Sequence, residues 1–363
     1  MKILCAVSRG RGHLDFGGNG YLRVAKALQE NGHEMVWLTT DKHQQTLKSW
    51  GFDWQLQPYI DALWLPEEQV ADFENDIFLA LKTIELTIRA IDPDLILSDR
   101  LLGMMSPLCE HLGIPMIAVG TPGGLWKKSG TAILPGRSKL NDGQLPHLLR
   151  DRLKWQFSTT LSAWCCSTIS NIHYMPRSFY ADTGSSSLAI DLFTEGFPKK
   201  ENAVALSLGN NLANPQKLAN ALDNFLSNRS ISNIPVHVFG KAEVYQKFHN
   251  LLKPQWRSYV QFMEYVDFDR VLKPYKLLIF AGGISTLWYC LEHGIYPWAV
   301  SGEIHDQHFN CERMEKLKWG QLARELDGLP VCFESTFDVK RDLDAQFDCN
   351  LSTIHEEIMS RLT

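Results

Sequence analysis

The sequence predicts an α/β protein with two doubly wound parallel sheets. Apolar runs typical of buried strands alternate with segments of helical spacing over residues 2–119, and the alternation restarts at Ala203. Repeated strand–helix–strand units form parallel sheets, because each helix carries the chain back to begin the next strand in the same direction. A polar stretch that contains Gly and Pro, residues 195–202, separates the two series. The expected domains are therefore 1–196 and 203–345, with a terminal helical segment at 346–363.

The first series combines buried strands with helices whose apolar residues recur every three or four positions. Gly32 suits the C-cap of the first of these helices. The predicted strands are Lys2–Val7, Met35–Leu38, Asp94–Leu97 and Pro115–Val119. The predicted helices are Tyr21–Asn31, Asp41–Trp50, Phe73–Ile91 and Leu101–Leu112. Residues 120–145 are rich in Gly, Ser, Pro and Lys and are predicted to form a long loop.

The second series has the same order of elements. Its predicted strands are Ala203–Leu208, Val236–Phe239, Tyr259–Phe262 and Leu277–Phe280. Its predicted helices are Pro215–Ser227, a helix that Ser285 and Thr286 open and that ends near Gly294, and Gln307–Leu317. A final helix is expected at about Leu351–Leu362.

Composition and charge exclude several classes of function. The chain has 363 residues, of which 45% are hydrophobic and 21% charged, as in an ordinary soluble globular protein. A formal net charge of −5 argues against nucleic-acid binding, since there is no basic excess to neutralise phosphates. No apolar stretch approaches the roughly 20 residues of a membrane span, and Met1–Val7 is too short for a signal peptide. We therefore expect a cytoplasmic protein with no transmembrane segment; peripheral membrane contact is compatible with this composition.

The cysteines and paired carboxylates indicate neither a metal site nor a disulfide framework. The eight cysteines are scattered, with Cys165-Cys166 as the one close pair and no CxxC spacing. Asp92-Pro93-Asp94 borders a predicted strand and is better interpreted as a turn than as a metal ligand set. We expect no metal and no cofactor.

Two loops in the second series predict a site for a sugar nucleotide. The strand Leu277–Phe280 runs into Ala281-Gly282-Gly283, and a helix follows at once. Glycines between a strand and a helix let backbone N–H groups approach an anion at the positive end of the helix dipole. One strand later, Asp306-Gln307 offers side chains that can bind hydroxyl groups. Phosphate at one loop and a polyol at the next are what a sugar-nucleotide donor requires.

These loops resemble the donor-binding signature of the GT-B glycosyltransferases that use UDP- or dTDP-sugars. The matching residues are Gly283, Ser285 or Thr286, Gly294, Pro297 and the run Asp306-Gln307-His308-Phe309-Asn310. Two positions depart from the signature. Ala281 stands where the family has a His that contacts the diphosphate, and Tyr289 stands where it has a Glu that holds the ribose, with Glu292 one turn later.

The resemblance implies a fold and a set of donor-site residues. It implies two Rossmann-like domains that face a cleft, and a terminal helix that crosses back onto the first domain. The residues it places at the donor are Gly209, Asn210, Val266, Gly282, Gly283, Ser285, Thr286, Asp306 and Gln307. The nucleotide sugar would be a co-substrate rather than a resident cofactor.

A second motif follows the first strand, where the family carries its general base. Gly12-His13 matches that position when counted from the strand, whereas counting back from the predicted helix would place Gly18 there. We favour His13, because strand and loop then match without a gap. An imidazole that titrates near neutrality can take the proton of an acceptor hydroxyl. In the inserted loop Leu14–Gly20, Asp15 is the competing base.

The resemblance also assigns a carboxylate to support the base. Asp99 follows a predicted strand, as the family's Asp does, and would orient His13 and stabilise its charged form. Both side chains would lie beyond the carboxyl ends of parallel strands, the edge where open α/β sheets bind ligands. Asp99 has a second interpretation as the N-cap of helix Leu101–Leu112.

We interpret the chain as an inverting glycosyltransferase that needs no metal and acts on a small, apolar or lipid-like acceptor, as in natural product glycosylation. The acceptor and the oligomeric state cannot be derived from the sequence. Four tryptophans of the first domain either line an acceptor pocket or pack in the core: Trp64, Trp126, Trp155 and Trp164. Two alternatives remain: a sugar-nucleotide 2-epimerase of the same fold, and a non-catalytic protein with a degenerate donor site.

Overall fold

The computed structural model describes two compact units. The described residues are 1–8, 12–57, 73–100, 102–120, 149–158, 169–180, 187–193, 203–209, 215–227, 234–264, 275–300, 305–323, 343 and 346–362. The first unit is Met1–Leu192 together with Phe347–Thr363, and the second is Phe193–Gln346. The linker predicted at 195–202 lies outside the described residues, as do most of the loop predicted at 120–145 and the residues Trp64, Trp126 and Trp164.

The described part of the first unit is built on an eight-stranded parallel sheet. Its strands are β1 (Lys2–Ala6), β2 (Glu34–Thr39), β3 (Asp53–Leu56), β4 (Leu95–Asp99), β5 (Met116–Val119), β6 (Ser170–His173), β7 (Ser187–Asp191) and β14 (Cys349–Asn350). They lie in the order β14-β7-β6-β5-β4-β1-β2-β3. Its helices are α1 (Gly12–Glu30), α2 (Gln44–Ser49), α3 (Phe73–Ile91), α4 (Met105–Leu112), α5 (Arg177–Tyr180) and α10 (Ile354–Leu362). The predicted doubly wound parallel sheet is confirmed.

Helix α1 begins nine residues earlier than the sequence predicts, at Gly12 instead of Tyr21. The prediction that Leu14–Gly20 form a loop is therefore wrong, because these residues belong to the helix. The backbone is nonetheless irregular there: Gly17, Gly18 and Asn19 have φ values of 71°, 59° and 63°. A Cβ on Gly17 or Gly20 would lie 2.6 or 2.7 Å from the Tyr174 ring, so these two positions are small because a buried tyrosine packs against them.

Three other predicted helix boundaries of the first unit are corrected. The segment Asp41–Trp50 is a 3-10 turn, Asp41–His43, followed by the short helix α2. Helix α4 starts at Met105, not at Leu101, and ends on the left-handed Gly113. Helix α10 is shorter than predicted by three residues at its start.

The core of the first unit lies between α3, α4 and the sheet. Leu81, Ile84 and Ile88 present one face of α3 to buried residues of β1, β2 and β4. Trp155 packs in this core with 2% of its surface exposed, and its Nε1 donates to Glu85 Oε2 at 2.9 Å. Trp155 is thus a core residue and does not line an acceptor pocket.

The C-terminal segment completes the first unit. Strand β14 pairs in parallel with β7, Cys349 opposite Ile190. Helix α10 lies against α1. Arg361 donates from Nη1 to Ser170 Oγ at 3.0 Å, which joins the end of the chain to the start of β6.

The described part of the second unit is a six-stranded parallel sheet. Its strands are β8 (Val204–Ser207), β9 (Val236–Gly240), β10 (Val260–Glu264), β11 (Leu277–Phe280), β12 (Tyr296–Ala299) and β13 (Gln321–Leu322), in the order β10-β9-β8-β11-β12-β13. Its helices are α6 (Pro215–Ser227), α7 (Ala242–Leu251), α8 (Ile284–Glu292) and α9 (His305–Lys316), with a 3-10 helix at Pro254–Tyr259. Buried residues of α6 and of the central strands form the core. In the part of the chain that the structure describes, no helix is long and apolar enough to cross a membrane.

Candidate functional site

The first unit brings two of its polar residues together at a topological switch point. The chain runs from β1 outward through β2 and β3, then returns to place β4 on the other side of β1. In such sheets the loops after the two central strands leave in opposite directions, and ligands bind in the crevice between them. Ser8 follows β1, and Asp99 is the last residue of β4.

Asp99 is buried at the switch point and accepts two hydrogen bonds from Ser8. Asp99 is 2% exposed and Ser8 is 5% exposed. Asp99 Oδ2 accepts from the Ser8 hydroxyl at 2.5 Å and from the Ser8 backbone N–H at 3.2 Å. The alternative role for Asp99 as a helix N-cap is wrong, because α4 begins at Met105 and its cap is Met104, with no side-chain cap bond.

Neighbouring buried groups fix the surroundings of this pair. His43 donates from Nε2 to the Ser8 carbonyl oxygen at 2.8 Å, since a carbonyl can only accept. The Tyr21 hydroxyl donates to the Leu97 carbonyl at 2.6 Å. Burial raises the pKa of Tyr21 well above its ordinary value, and nearby Cys5 and Asp99 add to the effect. Tyr21 therefore stays protonated and keeps α1 attached to β4.

The predicted base His13 is the second residue of α1, five positions after Ser8, where the described segment that carries β1 ends. Its backbone is helical, and its side chain lies outside the described part of the structure, as does that of the competing residue Asp15. The pairing of His13 with Asp99 consequently remains a prediction. What the structure establishes is that both belong to segments that leave the carboxyl ends of adjacent parallel strands.

The second unit has its own switch point, between β8 and β11. The chain runs from β8 to β9 and β10, then returns to the other side of β8 with β11. Gly209 follows β8 with a φ of 67°, and Gly282 and Gly283 follow β11. Three predicted donor-site residues thus lie at one edge of neighbouring strands. Asn210 and Val266 lie outside the described residues.

The two glycines after β11 have different structural roles. Gly282 has a φ of 80°, and a Cβ there would lie 2.5 Å from Cys311 Sγ and 2.8 Å from the Gln307 carbonyl oxygen. Its lack of a side chain is required for helix α9 to pack against the loop. Gly283, the N-cap of α8, has a φ of −64°, and among the described residues a Cβ there would meet only Thr286 Oγ1, at 3.8 Å. No other described residue therefore crowds the α8 N-terminus at Gly283.

Helix α9 contributes buried amide groups to the same loop. Asn310 is 1% exposed and donates from Nδ2 to the Gly282 carbonyl at 3.0 Å. Among the described residues, Gln307 Oε1 and Asn310 Oδ1 are buried without a hydrogen-bond partner. A ligand that donates hydrogen bonds could satisfy these two acceptors.

The alternative role of Asp306 and Gln307 as a cap of Gln307–Leu317 is not supported. The helix starts at His305, so both residues belong to its first turn. The side chain of Asp306 lies outside the described part of the structure.

Tyr289, which stands where the signature has a ribose-binding Glu, is buried in this structure. Tyr289 is 6% exposed and packs between Trp288 and His293, at ring-centroid distances of 5.2 and 6.0 Å. Glu292, the carboxylate one turn later, is 2% exposed. Both side chains are thus buried among the described residues of the second unit.

Two solved structures resemble the chain over 99% of its length. The glycosyltransferase VinC in complex with dTDP matches with a TM-score of 0.66 at 16% identity, covering 99% of each chain. The calicheamicin glycosyltransferase CalG4 matches with a TM-score of 0.69 at 18% identity, covering 99% of this chain and 98% of CalG4. The chain has the GT-B fold. The fold that the sequence motifs implied is confirmed at this level.

A further structure is less similar to the chain, and comparisons of sequence find no match. The spinosyn rhamnosyltransferase SpnG, complexed with thymidine diphosphate, matches with a TM-score of 0.58 at 16% identity, covering 89% of this chain and 86% of SpnG. No family model and no curated protein sequence matches the chain. Its GT-B fold is therefore evident from structure, whereas the sequence comparisons identify no family.

Two residues of this GT-B chain gain a role only from the structure. Ser8 holds Asp99 at the first switch point, and Asn310 holds the Gly282 loop at the second. Ser8 had a weak signal, because it directly follows the first strand, where side chains reach the ligand edge. Asn310 belongs to the recognised run Asp306–Asn310, but its contact to a residue 28 positions away has no local signal.

Proposed function

We propose that this protein is a glycosyltransferase that moves a sugar from a nucleoside-diphosphate donor to a hydroxyl group of a small acceptor. The observation that carries the proposal is the second switch point. There, among the described residues, a Cβ on Gly283 would contact only Thr286 Oγ1 at the α8 N-terminus, and Gln307 of α9 has a buried oxygen without a hydrogen-bond partner. The first feature suits a diphosphate and the second a sugar hydroxyl. The VinC and SpnG structures contain dTDP, which supports dTDP- or UDP-sugars as donors.

We propose that the α8 N-terminus binds the diphosphate while it leaves the sugar. Backbone N–H groups of Ile284, Ser285 and Thr286 belong to the first helical turn and lack intrahelical acceptors. Together with the helix dipole they stabilise the negative charge that develops on the leaving oxygen. We propose that this replaces the role of a divalent cation, and that transfer needs no metal.

The proposed reaction is a single displacement with inversion. His13 takes the proton of the acceptor hydroxyl while that oxygen forms a bond to the anomeric carbon. The bond from the anomeric carbon to the diphosphate oxygen breaks on the opposite face, and its electron pair stays with the diphosphate. Asp99, held by Ser8, is proposed to fix the orientation of the His13 ring and to stabilise its protonated form.

A non-catalytic donor-fold protein is the second candidate. The observations that favour it are Ala281 in place of the diphosphate-binding His and the burial of Tyr289 and Glu292. These changes remove contacts to the donor without closing the space at Gly283.

The proposal is tested by following donor consumption. The full-length protein is incubated with dTDP- and UDP-sugars, with and without a panel of small hydroxylated apolar acceptors, in buffer containing EDTA. Transfer predicts nucleoside diphosphate release that depends on the acceptor and yields a product of inverted anomeric configuration. Isomerised donor without any acceptor would point to an epimerase, and nucleotide binding without turnover would point to the non-catalytic protein.

Restoring the missing histidine should strengthen donor binding. In Ala281→His the imidazole is expected to add a hydrogen bond to the diphosphate, typically worth ~1.5–3 kcal/mol. Titration calorimetry with dTDP should therefore show affinity at least roughly tenfold tighter than in the wild type. Weaker binding would mean that the loop after β11 approaches the phosphates in another geometry.

A further inference from the structure

We propose that Ser8 is a positioning residue for sugar transfer, which acts by holding Asp99 in the orientation that supports the base. The inference rests on the proposed function and adds a residue to it. Ser8 and Asp99 are 91 positions apart in the sequence, and they meet across the switch point of the first sheet.

The geometry of the contact favours a positioning role. Both donors of Ser8, its hydroxyl and its backbone N–H, converge on the same oxygen, Asp99 Oδ2. Two donors on one oxygen fix the rotation of a carboxylate about its last side-chain bond. The Ser8 hydroxyl and the Ser8 backbone N–H are both within hydrogen-bond distance of this oxygen, at 2.5 and 3.2 Å. Oδ1 is then the oxygen expected to face the imidazole of the base.

Ser8 is itself held in place from the other side. The buried His43 donates from Nε2 to the Ser8 carbonyl at 2.8 Å. The preceding residue extends the strand ladder, with Val7 N–H bonded to the Leu38 carbonyl at 3.2 Å. Ser8 can therefore move away from Asp99 only if the bond of its carbonyl to His43 or the bond between Val7 and Leu38 breaks.

The arrangement is not a Ser–His–Asp nucleophile system, although it contains those three residue types. The imidazole of His43 contacts the Ser8 carbonyl, and the Ser8 hydroxyl is bonded to the carboxylate. In a nucleophile triad the imidazole lies between the hydroxyl and the carboxylate. Among the described residues, the contacts of Ser8 support a role in orienting Asp99 and show no base that would activate its hydroxyl.

The test compares Ser8→Ala, Ser8→Thr and Asp99→Asn in the full-length protein. We expect Ser8→Ala to lower kcat roughly 10- to 100-fold, as small misplacements of supporting groups do, with the donor KM unchanged. Ser8→Thr keeps the hydroxyl and should restore most of kcat. Added to Asp99→Asn, Ser8→Ala should cause little further loss, because both changes remove one unit.

Thr39→Val is the matched control for loss of a buried hydroxyl. Thr39 ends β2, which pairs directly with β1, and is 0% exposed. Within the described residues its Oγ1 has no hydrogen-bond partner. Its replacement should leave kcat and KM at wild-type values.

The outcomes separate this inference from the proposed function. Wild-type kcat in Ser8→Ala, together with a loss in Asp99→Asn, would overturn the role of Ser8 and leave the transferase intact. If the wild type transfers no sugar, the proposed function fails. Crystal structures of the wild type and of Ser8→Ala then test whether Ser8 positions the Asp99 carboxylate. A rotated Asp99 carboxylate in Ser8→Ala would support positioning, and an unchanged carboxylate would overturn it.

Discussion

Replacing His13 with alanine is expected to lower kcat by ~100- to 10,000-fold, the usual contribution of a general base. Affinity for dTDP should stay close to the wild-type value, because His13 belongs to the first unit and the glycine loop to the second. Steady-state kinetics with saturating donor, combined with calorimetry for dTDP, measure the two quantities separately. Circular dichroism and the thermal unfolding midpoint show whether the variant is folded.

Two further variants locate the base and its partner. Asp99→Asn should cause a smaller loss of kcat, and the double variant with His13→Ala should be far from additive, since the two residues act as a unit. Asp15→Ala is the matched control, because Asp15 is two residues from His13 in the same helix. Near-normal turnover in His13→Ala with collapse in Asp15→Ala would assign the base to Asp15 and overturn the mechanism.

Replacing Gly283 with valine is expected to abolish nucleotide binding while the protein stays folded. The φ of −64° is accessible to valine, and of the described residues a Cβ at this position meets only Thr286, at 3.8 Å from its Oγ1. The added side chain would instead occupy the space before the α8 N-terminus. Losing two bonds to a charged phosphate, at ~1.5–3 kcal/mol each, predicts a loss of dTDP affinity of about 100-fold or more.

Gly282→Ala is the informative comparison, since the two glycines are adjacent. Its Cβ would lie 2.5 Å from Cys311 Sγ, and its φ of 80° is strained for alanine. Strain and overpacking together should lower the free energy of unfolding by roughly 2–6 kcal/mol. Thermal unfolding and dTDP calorimetry on both variants check the pair. Wild-type dTDP affinity in a folded Gly283→Val protein would place the diphosphate elsewhere.

Local sequence patterns predicted three elements to the residue. Phe73–Ile91, Pro215–Ser227 and Leu277–Phe280 occur in the structure with the predicted bounds. In each, apolar spacing over the whole element matches a single period, and periodicity depends only on neighbours in the chain. The donor loop was predicted for the same reason, since the glycines directly join a strand to a helix.

The start of α1 shows where local patterns fail. The run Gly17-Gly18-Asn19-Gly20 is typical of a loop in sequence, and the structure assigns it to a helix with three left-handed residues. Gly17 and Gly20 are explained by the Tyr174 ring, more than 150 residues away in the chain. No pattern in the segment itself contains that contact.

The sequence by itself determined the class of fold, the positions of most strands and the residues at the glycine loop, because these follow from periodicity and short motifs. Only the tertiary structure decided the order of the strands, and with it the two switch points. It also decided that Ser8, rather than a helix N-terminus, binds Asp99. It showed that helix packing requires a glycine at 282 rather than at 283, and that Tyr289 is buried. Each of these depends on contacts between residues distant in the chain, which form only when helices and strands pack together.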